Sequence, residues 1–462
     1  MTTELKTDYL IVGAGAMGLA FADTLLSETD ADMVIVDRGR APGGHWVHAY
    51  PFVTLHQPSQ FYGVASRELS RGTVDTDGLN AGMSDLATLG EIRAYYDAVM
   101  RDHLLPSGRV RYFPNSEYEA EGRFTQRLSG ETFRVAHDTR ADATFLTNSI
   151  PAQHTPSYTW EEGVTVIPPN GIADLAETPD GYVVIGGGKT GIDALIYLLE
   201  QGVPPGMIRW VVSRDGWMLD RAGTQARPEC AKTTLGIQAA AFQAMAEASD
   251  VEDMFSRLEV AGYVVRLDPE VRPKMFHAPT ISRGELDALR TIDGVIRKGR
   301  VRHITPTEMQ LDGGTEAMTP GTVVVDCSAT AITNRRIVPV FKDGAITLQT
   351  VRAYQPTFSA SLIAHVEAGG GSVADKNALT GVVPLPDGLD DFLRMQAANM
   401  MNQAIWGRNK EIRRWIRANR LDGFGEMVAN ADMDDPAMAD IMGRLRKYAM
   451  PAAMNLQRMM TA

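Results

Sequence analysis

Short unbroken apolar runs alternate with helix-periodic stretches at two places in the chain. In the first, Tyr9–Val12 is followed by apolar spacing to about Ser27 and then by Met33–Val36. In the second, Tyr182–Ile185 leads to a helical pattern over Lys189–Gln201 and then to Met207–Val212. Apolar runs of this length, without polar alternation, predict parallel strands buried on both faces. Elsewhere the pattern is more local. Thr88-x-x-Glu91 is a capping box opening a helix to about Leu104, with Ile92, Tyr95, Tyr96 and Met100 on one face and Pro106-Ser107-Gly108 as its stop. Ser282-x-x-Glu285 opens a shorter helix to about Ile292. Short strands with turns at Glu121-Gly122 and Ser129-Gly130 fill Val110 to about Leu146. Residues 235–262 keep helical apolar spacing, read as core packing. Residues 47–69 show no clean period and read as a long functional loop. From about Leu389 a helical tail carries Met395, Met400, Met401, Met438 and Met442. Methionines adapt to irregular apolar neighbours, so core packing, a pocket cap and a dimer surface are all open to this tail.

Each strand–helix–strand unit holds glycines at the G-x-G-x-x-G spacing. Gly13 permits a tight turn off the strand, Gly15 lets a pyrophosphate approach the backbone, and Gly18 lets the helix lie close to the sheet. Ala16 and Met17 then begin a helix whose free N–H groups face the phosphates. Asp37, at the end of the second strand, is placed to accept hydrogen bonds from ribose hydroxyls. Gly186, Gly188 and Gly191 repeat the arrangement, with Lys189 and Thr190 in the first helical turn. Here the second strand ends in Ser213-Arg214. An arginine and a hydroxyl suit a 2′-phosphate, which a carboxylate would repel, so NADPH is favoured over NADH. An exposed strand-end cation is the plainer reading of Arg214.

The expected fold class is therefore α/β: two Rossmann-like dinucleotide-binding domains, the second inserted in the first, with a helical C-terminal tail. At 462 residues two domains are the natural division. The boundaries read as 1–165 and 323–462 for the first and 166–322 for the second, because the stretch 148–181 is rich in Pro, Gly and acidic residues. A net charge of −12 argues against nucleic acid. No apolar run approaches a span and the start lacks a basic, apolar leader, so neither a membrane partner nor export is expected. Cys230 and Cys327 are too far apart in sequence for a C-x-x-C pair, consistent with a reduced, cytoplasmic protein. Nine scattered histidines show no metal-ligand spacing.

Asp37-Arg38 begins the string D-R-x-x-x-x-G-G-x-W, with Gly44, His45 and Trp46 at its end. A surface turn rich in Gly and Pro would have the same composition. The pattern resembles flavoproteins with two dinucleotide-binding domains, particularly flavin-containing and Baeyer–Villiger monooxygenases, where it holds FAD. The resemblance implies that the backbone near Tyr118 lies against the adenine. It places Thr54-Leu55-His56-Gln57 beside the flavin ring, making Trp46, His56 and Gln57 active-site candidates. For His56 a hydrogen-bonded loop histidine is an equal alternative, and Trp46 is read as packing on the cofactor. The string SRDGWMLDR at 213–221 is similar to an arginine-plus-tryptophan stretch of the Baeyer–Villiger enzymes. ISRGELDALRTIDGVIRKGRV matches a segment whose arginine, here Arg283, reaches the flavin. Asp326-Cys327-Ser328-Ala329-Thr330 looks like the A-T-G stretch returning to the FAD domain, with Ala331 in place of the glycine, and QPTFSASLIAHVEA at 355–368 completes it.

The resemblance implies hydride transfer from NADPH to flavin, then a flavin C4a-peroxide that oxygenates a small organic substrate using O2, with Arg283 stabilising its charge. One departure bears on this. The F-x-G-x-x-x-H-x-x-x-[WY] fingerprint expected before the second glycine turn is replaced by SIPAQHTPSY, which keeps only His154 and Tyr158. An NADPH-dependent flavin reductase without oxygenation is the alternative, and a non-catalytic flavin-binding sensor is a third. A homodimer is left open.

Overall fold

The computed structural model describes residues 2–330 and 332–461; Ala331, the position that departs from the A-T-G pattern, lies outside them. Two parallel sheets carry the architecture. In the first, Ala345–Thr347, Thr132–Asp142, Thr2–Val12, Met33–Val36 and Val110–Phe113 lie side by side in that order, all parallel. A short antiparallel strand, Phe341–Lys342, closes one edge, and the hairpin Ser116–Tyr118/Arg123–Gln126 extends from Thr132–Asp142. In the second, Thr165–Ile167, Thr322–Asp326, Gly181–Ile185, Ile208–Val211 and Gly294–Ile296 run parallel in that order.

Burial explains why these runs are strands. Leu10, Ile11, Met33, Val34, Ile35, Val183 and Val184 are fully buried, as both faces of a covered parallel sheet demand. The first strand begins at Thr2, well before the predicted Tyr9. Its early residues are polar and exposed, so backbone pairing with Thr132–Ala136, which apolar pattern does not encode, holds them in register. Both capping boxes form. Thr88 caps Leu89–Val99, which continues as a wider turn over Met100–Leu104, and Ser282 caps Arg283–Leu289.

The boundaries drawn from composition need correction. Thr322–Asp326 pairs with Thr165–Ile167 on one side and Gly181–Ile185 on the other, so a boundary at 323 cuts a strand of the second sheet. Thr159–Trp160 pairs with Val301–Ile304, which takes the second unit's start earlier as well. Nor does the tail belong only to the first unit. Helices Leu389–Arg408 and Pro436–Thr461 join Ala231–Glu247 and Val251–Val260 in a separate core of Trp217, Phe255, Phe276, Phe392 and Leu456. Met395, Met438 and Met442 are buried there or in the small cluster beside it, whereas Met401 is exposed.

Candidate functional site

Both glycine turns leave the carboxyl end of a strand flanked on each side by parallel neighbours. In open α/β sheets this is where ligands bind. Gly13 has φ +104° and Gly186 φ +137°, values an L side chain rarely adopts. A β-carbon at Gly18 would collide with the Gly13 carbonyl, and one at Gly191 with the Gly186 carbonyl. These glycines are needed by the fold itself. Gly188 differs: its φ of −90° suits any residue, and a β-carbon there would meet nothing within 4 Å.

The helix starts are equally telling. Ala16–Glu28 and Lys189–Glu200 have no side-chain cap and no acid in the first turn, whereas Leu89–Val99 and Arg283–Leu289 carry full capping boxes. Ala16, Met17, Lys189 and Thr190 thus present uncapped N–H groups at the positive end of a helix dipole, suited to phosphate oxygens.

Around the first turn, Asp37 is buried. Its carboxylate accepts from the Ala14 N–H and the Gly39 N–H, each at 2.5 Å, which fixes it at the lip of the turn. Gly43 donates to the Ala14 carbonyl at 2.8 Å, and a β-carbon on Gly44 would lie 2.9 Å from the Gly15 Cα. The glycine doublet therefore lets the chain cross directly over the turn. Trp46 follows, buried, its indole N–H donating to the Tyr62 hydroxyl at 2.9 Å. His45 lies 4.6 Å from the Trp46 ring, and its Nδ1 meets Asn148 Nδ2 at 3.2 Å. Burial pushes its imidazole down to about 4. Ser116 donates to the Asp37 carbonyl, which brings the strand bearing Tyr118 alongside; Arg140 reaches the Tyr118 hydroxyl at 3.4 Å. Arg38 stands exposed at the rim.

At the second turn, Lys189 is almost fully covered and ion-pairs with Asp193 one helical turn on. Ser213 and Arg214 are exposed at the end of Ile208–Val211, and the Arg214 carbonyl lies 3.3 Å from where a Gly187 β-carbon would stand. The Arg214 guanidinium is 3.4 Å from Asp387, which also takes His277 at 2.5 Å and Arg335 at 3.5 Å. Asp387 is thus shared by two guanidinium groups and a histidine whose imidazole is held below its usual range, by burial first.

The loop after the glycine doublet leans on the second unit. Tyr50 donates to Asp193 at 2.7 Å, and Phe52 stacks on Tyr197 at 4.2 Å between ring centroids. Asn170 holds the His48 and Ala49 carbonyls. Next along the loop is His56. Burial first, then the charges of Lys189 and Arg221, keep its imidazole well below its usual range, so it is neutral at physiological pH. Gln57 is half-buried beside it.

Arg221 is what the sequence did not single out. It is fully buried and donates through Nε to the His56 carbonyl at 3.1 Å and through Nη2 to the Thr280 carbonyl at 3.2 Å; Nη1 pairs with Glu285 at 2.9 Å and with Asn80. Burial alone would raise the Glu285 carboxyl, but Arg221 and Lys189 outweigh it and hold it low. One arginine thus ties the loop of the first unit to two segments of the second. Its only prior signal was its place in the 213–221 string. Arg283, on the same helix as Glu285, is more than half exposed, and its Nε donates at 2.7 Å to Asp220, the residue before Arg221. The structure brings His56 together with Arg221 and Lys189, and leaves Arg283 on the Asp220 pair.

Comparison with known proteins adds the following. The family description "NAD(P)-binding Rossmann-like domain" matches residues 11–52, the first glycine turn through the crossing loop. Uncharacterized protein Rv2000 of Mycobacterium tuberculosis is 43% identical over 425 residues, covering 92% of this chain and 79% of its own. Uncharacterized protein Mb2023 of Mycobacterium bovis matches to the same extent. The chain belongs to the family of these mycobacterial proteins.

Among solved structures, a cyclohexanone-bound cyclohexanone monooxygenase aligns with 79% of this chain and 87% of its own at a TM-score of 0.49 and 13% identity. A flavin-containing monooxygenase from Stenotrophomonas maltophilia covers 87% of this chain and 99% of its own, at 0.40 and 16%. The bacillithiol disulfide reductase of Staphylococcus aureus covers 88% and 100%, at 0.43 and 11%.

Proposed function

We propose that this member of the family is an FAD-dependent oxidoreductase that draws its electrons from NADPH, and that it is a monooxygenase acting on a small organic substrate with O2. The observation that carries the first part is the pair of uncapped glycine helices at the carboxyl edges of two parallel sheets, joined by the loop from Gly43 to His56. FAD fits the first turn: Asp37 is fixed where a ribose would lie, and the glycine doublet crosses backbone to backbone over Gly15. NADPH fits the second, where Gly188 is open and the two guanidinium groups of Arg214 and Arg335 outnumber the single Asp387 carboxylate they share.

When bound, the flavin accepts a hydride from the nicotinamide and can pass electrons to O2. This chain's residues do the rest. Gly15 with the Ala16 and Met17 N–H groups would hold one pyrophosphate, and Gly188 with Lys189 and Thr190 the other, on turns shaped by Gly13, Gly18, Gly186 and Gly191. Trp46 supplies a buried wall beside the first dinucleotide. His56 is neutral, so it orients a polar group by hydrogen bonding without adding charge. Arg221 holds that histidine's backbone, which makes it a positioning residue. For Arg283 to serve the flavin, its guanidinium must leave Asp220.

The monooxygenase assignment is tested by supplying NADPH, O2 and a panel of amines, sulfides and ketones to the purified protein. The expected result is NADPH consumption matched by oxygenated product. NADPH consumption matched only by hydrogen peroxide, or only with an added quinone or dye, supports the reductase instead.

A further inference from the structure

The strongest unused feature is the short helix Lys410–Ala418, KEIRRWIRA. At 3.6 residues per turn, Lys410, Arg413, Arg414 and Arg417 fall within one stripe about 100° wide. Ile412, Trp415 and Ile416 occupy the opposite side and pack into the core of the first unit. All four cations are exposed, as is Arg408 just before them, and among the described residues none pairs with a carboxylate. Among the described residues, Arg413 alone of these side chains has a hydrogen-bond partner, the Gly407 carbonyl at 3.3 Å.

This array is held rigidly. Asn409 caps the start by accepting from the Glu411 and Ile412 N–H groups. Trp415 donates to Glu28 at 2.6 Å and stacks on His365, while Arg420, just past the end, donates to four backbone carbonyls between Gln60 and Arg67. Like charges spaced i, i+3 and i+4 repel one another and destabilise a helix. Here they are fixed side by side on a chain of net charge −12, with Glu411, the one acid of this helix, at the edge of the stripe three residues before Arg414.

We propose that this face docks on an anionic lipid bilayer. Such a surface meets a convex row of cations tangentially, and clustered Lys and Arg side chains on one helix face recognise it by charge. Nucleic acid fits less well. The one aromatic ring of the helix, Trp415, is stacked on His365 and turned inward, so no base-stacking platform accompanies the charges. No helix of the described residues is long and apolar enough to cross a membrane, so the attachment is peripheral and electrostatic.

The test is co-sedimentation of the full chain with vesicles of phosphatidylcholine alone or with about one third phosphatidylglycerol, in low and high salt. Binding is expected only to anionic vesicles, lost in high salt. The Arg413→Gln/Arg414→Gln/Arg417→Gln variant should bind roughly a hundredfold more weakly with an unchanged melting temperature, since among the described residues none of those side chains is hydrogen-bonded or ion-paired to another side chain. Wild-type protein that ignores anionic vesicles overturns the proposal. So does a triple variant that binds as well as wild type, or retention on DNA without retention on vesicles. None of these readouts depends on which cofactor the chain holds.

Discussion

Substituting Gly188 by alanine separates a structural glycine from a ligand-binding one. The new β-carbon has no atom within 4 Å, and φ −90°, ψ −178° is ordinary extended backbone. Alanine is a poorer helix N-cap than glycine by a few tenths to about 1 kcal/mol. Lower unfolded-state entropy offsets about 0.4–1 kcal/mol of that. The net change in stability is therefore near zero, and the melting temperature should hold within about 2 °C. Binding should respond differently. The added methyl stands where a phosphate approaches the Lys189 and Thr190 N–H groups, and each charge-assisted hydrogen bond lost costs about 1.5–3 kcal/mol. The dissociation constant for NADPH, measured by calorimetric titration, should rise roughly 10- to 150-fold. Gly191→Ala is the contrast: its β-carbon meets the Gly186 carbonyl, so it should melt well below wild type, an overpacking cost of about 1–3 kcal/mol or more. Unchanged NADPH affinity in Gly188→Ala, with unchanged melting, would refute phosphate binding at this turn.

Three further outcomes follow from the same geometry. Arg221→Met leaves Glu285 buried without its cation and two carbonyls without donors, and should destabilise by about 3–5 kcal/mol; adding Glu285→Gln should recover part of the loss in urea unfolding, and a double variant less stable than the single one would contradict the pairing. Arg214→Ala should weaken NADPH binding far more than NADH binding, and equal losses would remove the 2′-phosphate from the Arg214–Arg335–His277 cluster. His45 is neutral when folded because burial lowers it to about 4 from the usual 6.5. Unfolded chains therefore bind its proton first as pH falls through 6.5, and stability drops by up to about 1.4 kcal/mol per pH unit down to about 4. In His45→Asn the acid limb of the melting-temperature profile should be shallower, and an identical limb would place the titration elsewhere.

What could be read from the sequence was what the backbone itself constrains. Gly13, Gly18, Gly186 and Gly191 are fixed by strand–turn–helix sterics, and Thr88 and Ser282 by the unpaired N–H groups of a helix start; both kinds of constraint are local and leave a spacing. The loop carrying Tyr50, Phe52 and His56 was recognisable as irregular, but its partners Asp193, Tyr197 and Arg221 lie more than a hundred residues away and leave no periodic trace. Arg221 looks like any other arginine until its burial is known. The tail's partners were hidden for a related reason. Its methionines announce apolar neighbours without naming them, and the neighbours prove to be the 231–260 helices of the second unit. Around Arg283 the helix forms as expected from its capping box, while the pairing of its arginine with Asp220 joins residues 63 positions apart and leaves no local pattern.

The central claim is that the two glycine turns hold two different dinucleotides and present them to one another. It is tested most directly by releasing the ligand from natively purified protein with heat, identifying it by chromatography, and recording the visible spectrum of intact protein on anaerobic addition of NADPH. The account predicts FAD at about one per chain and loss of the yellow absorbance within the mixing experiment. Protein that cannot be loaded with any flavin, or flavin-loaded protein whose colour NADPH leaves unchanged, would contradict it.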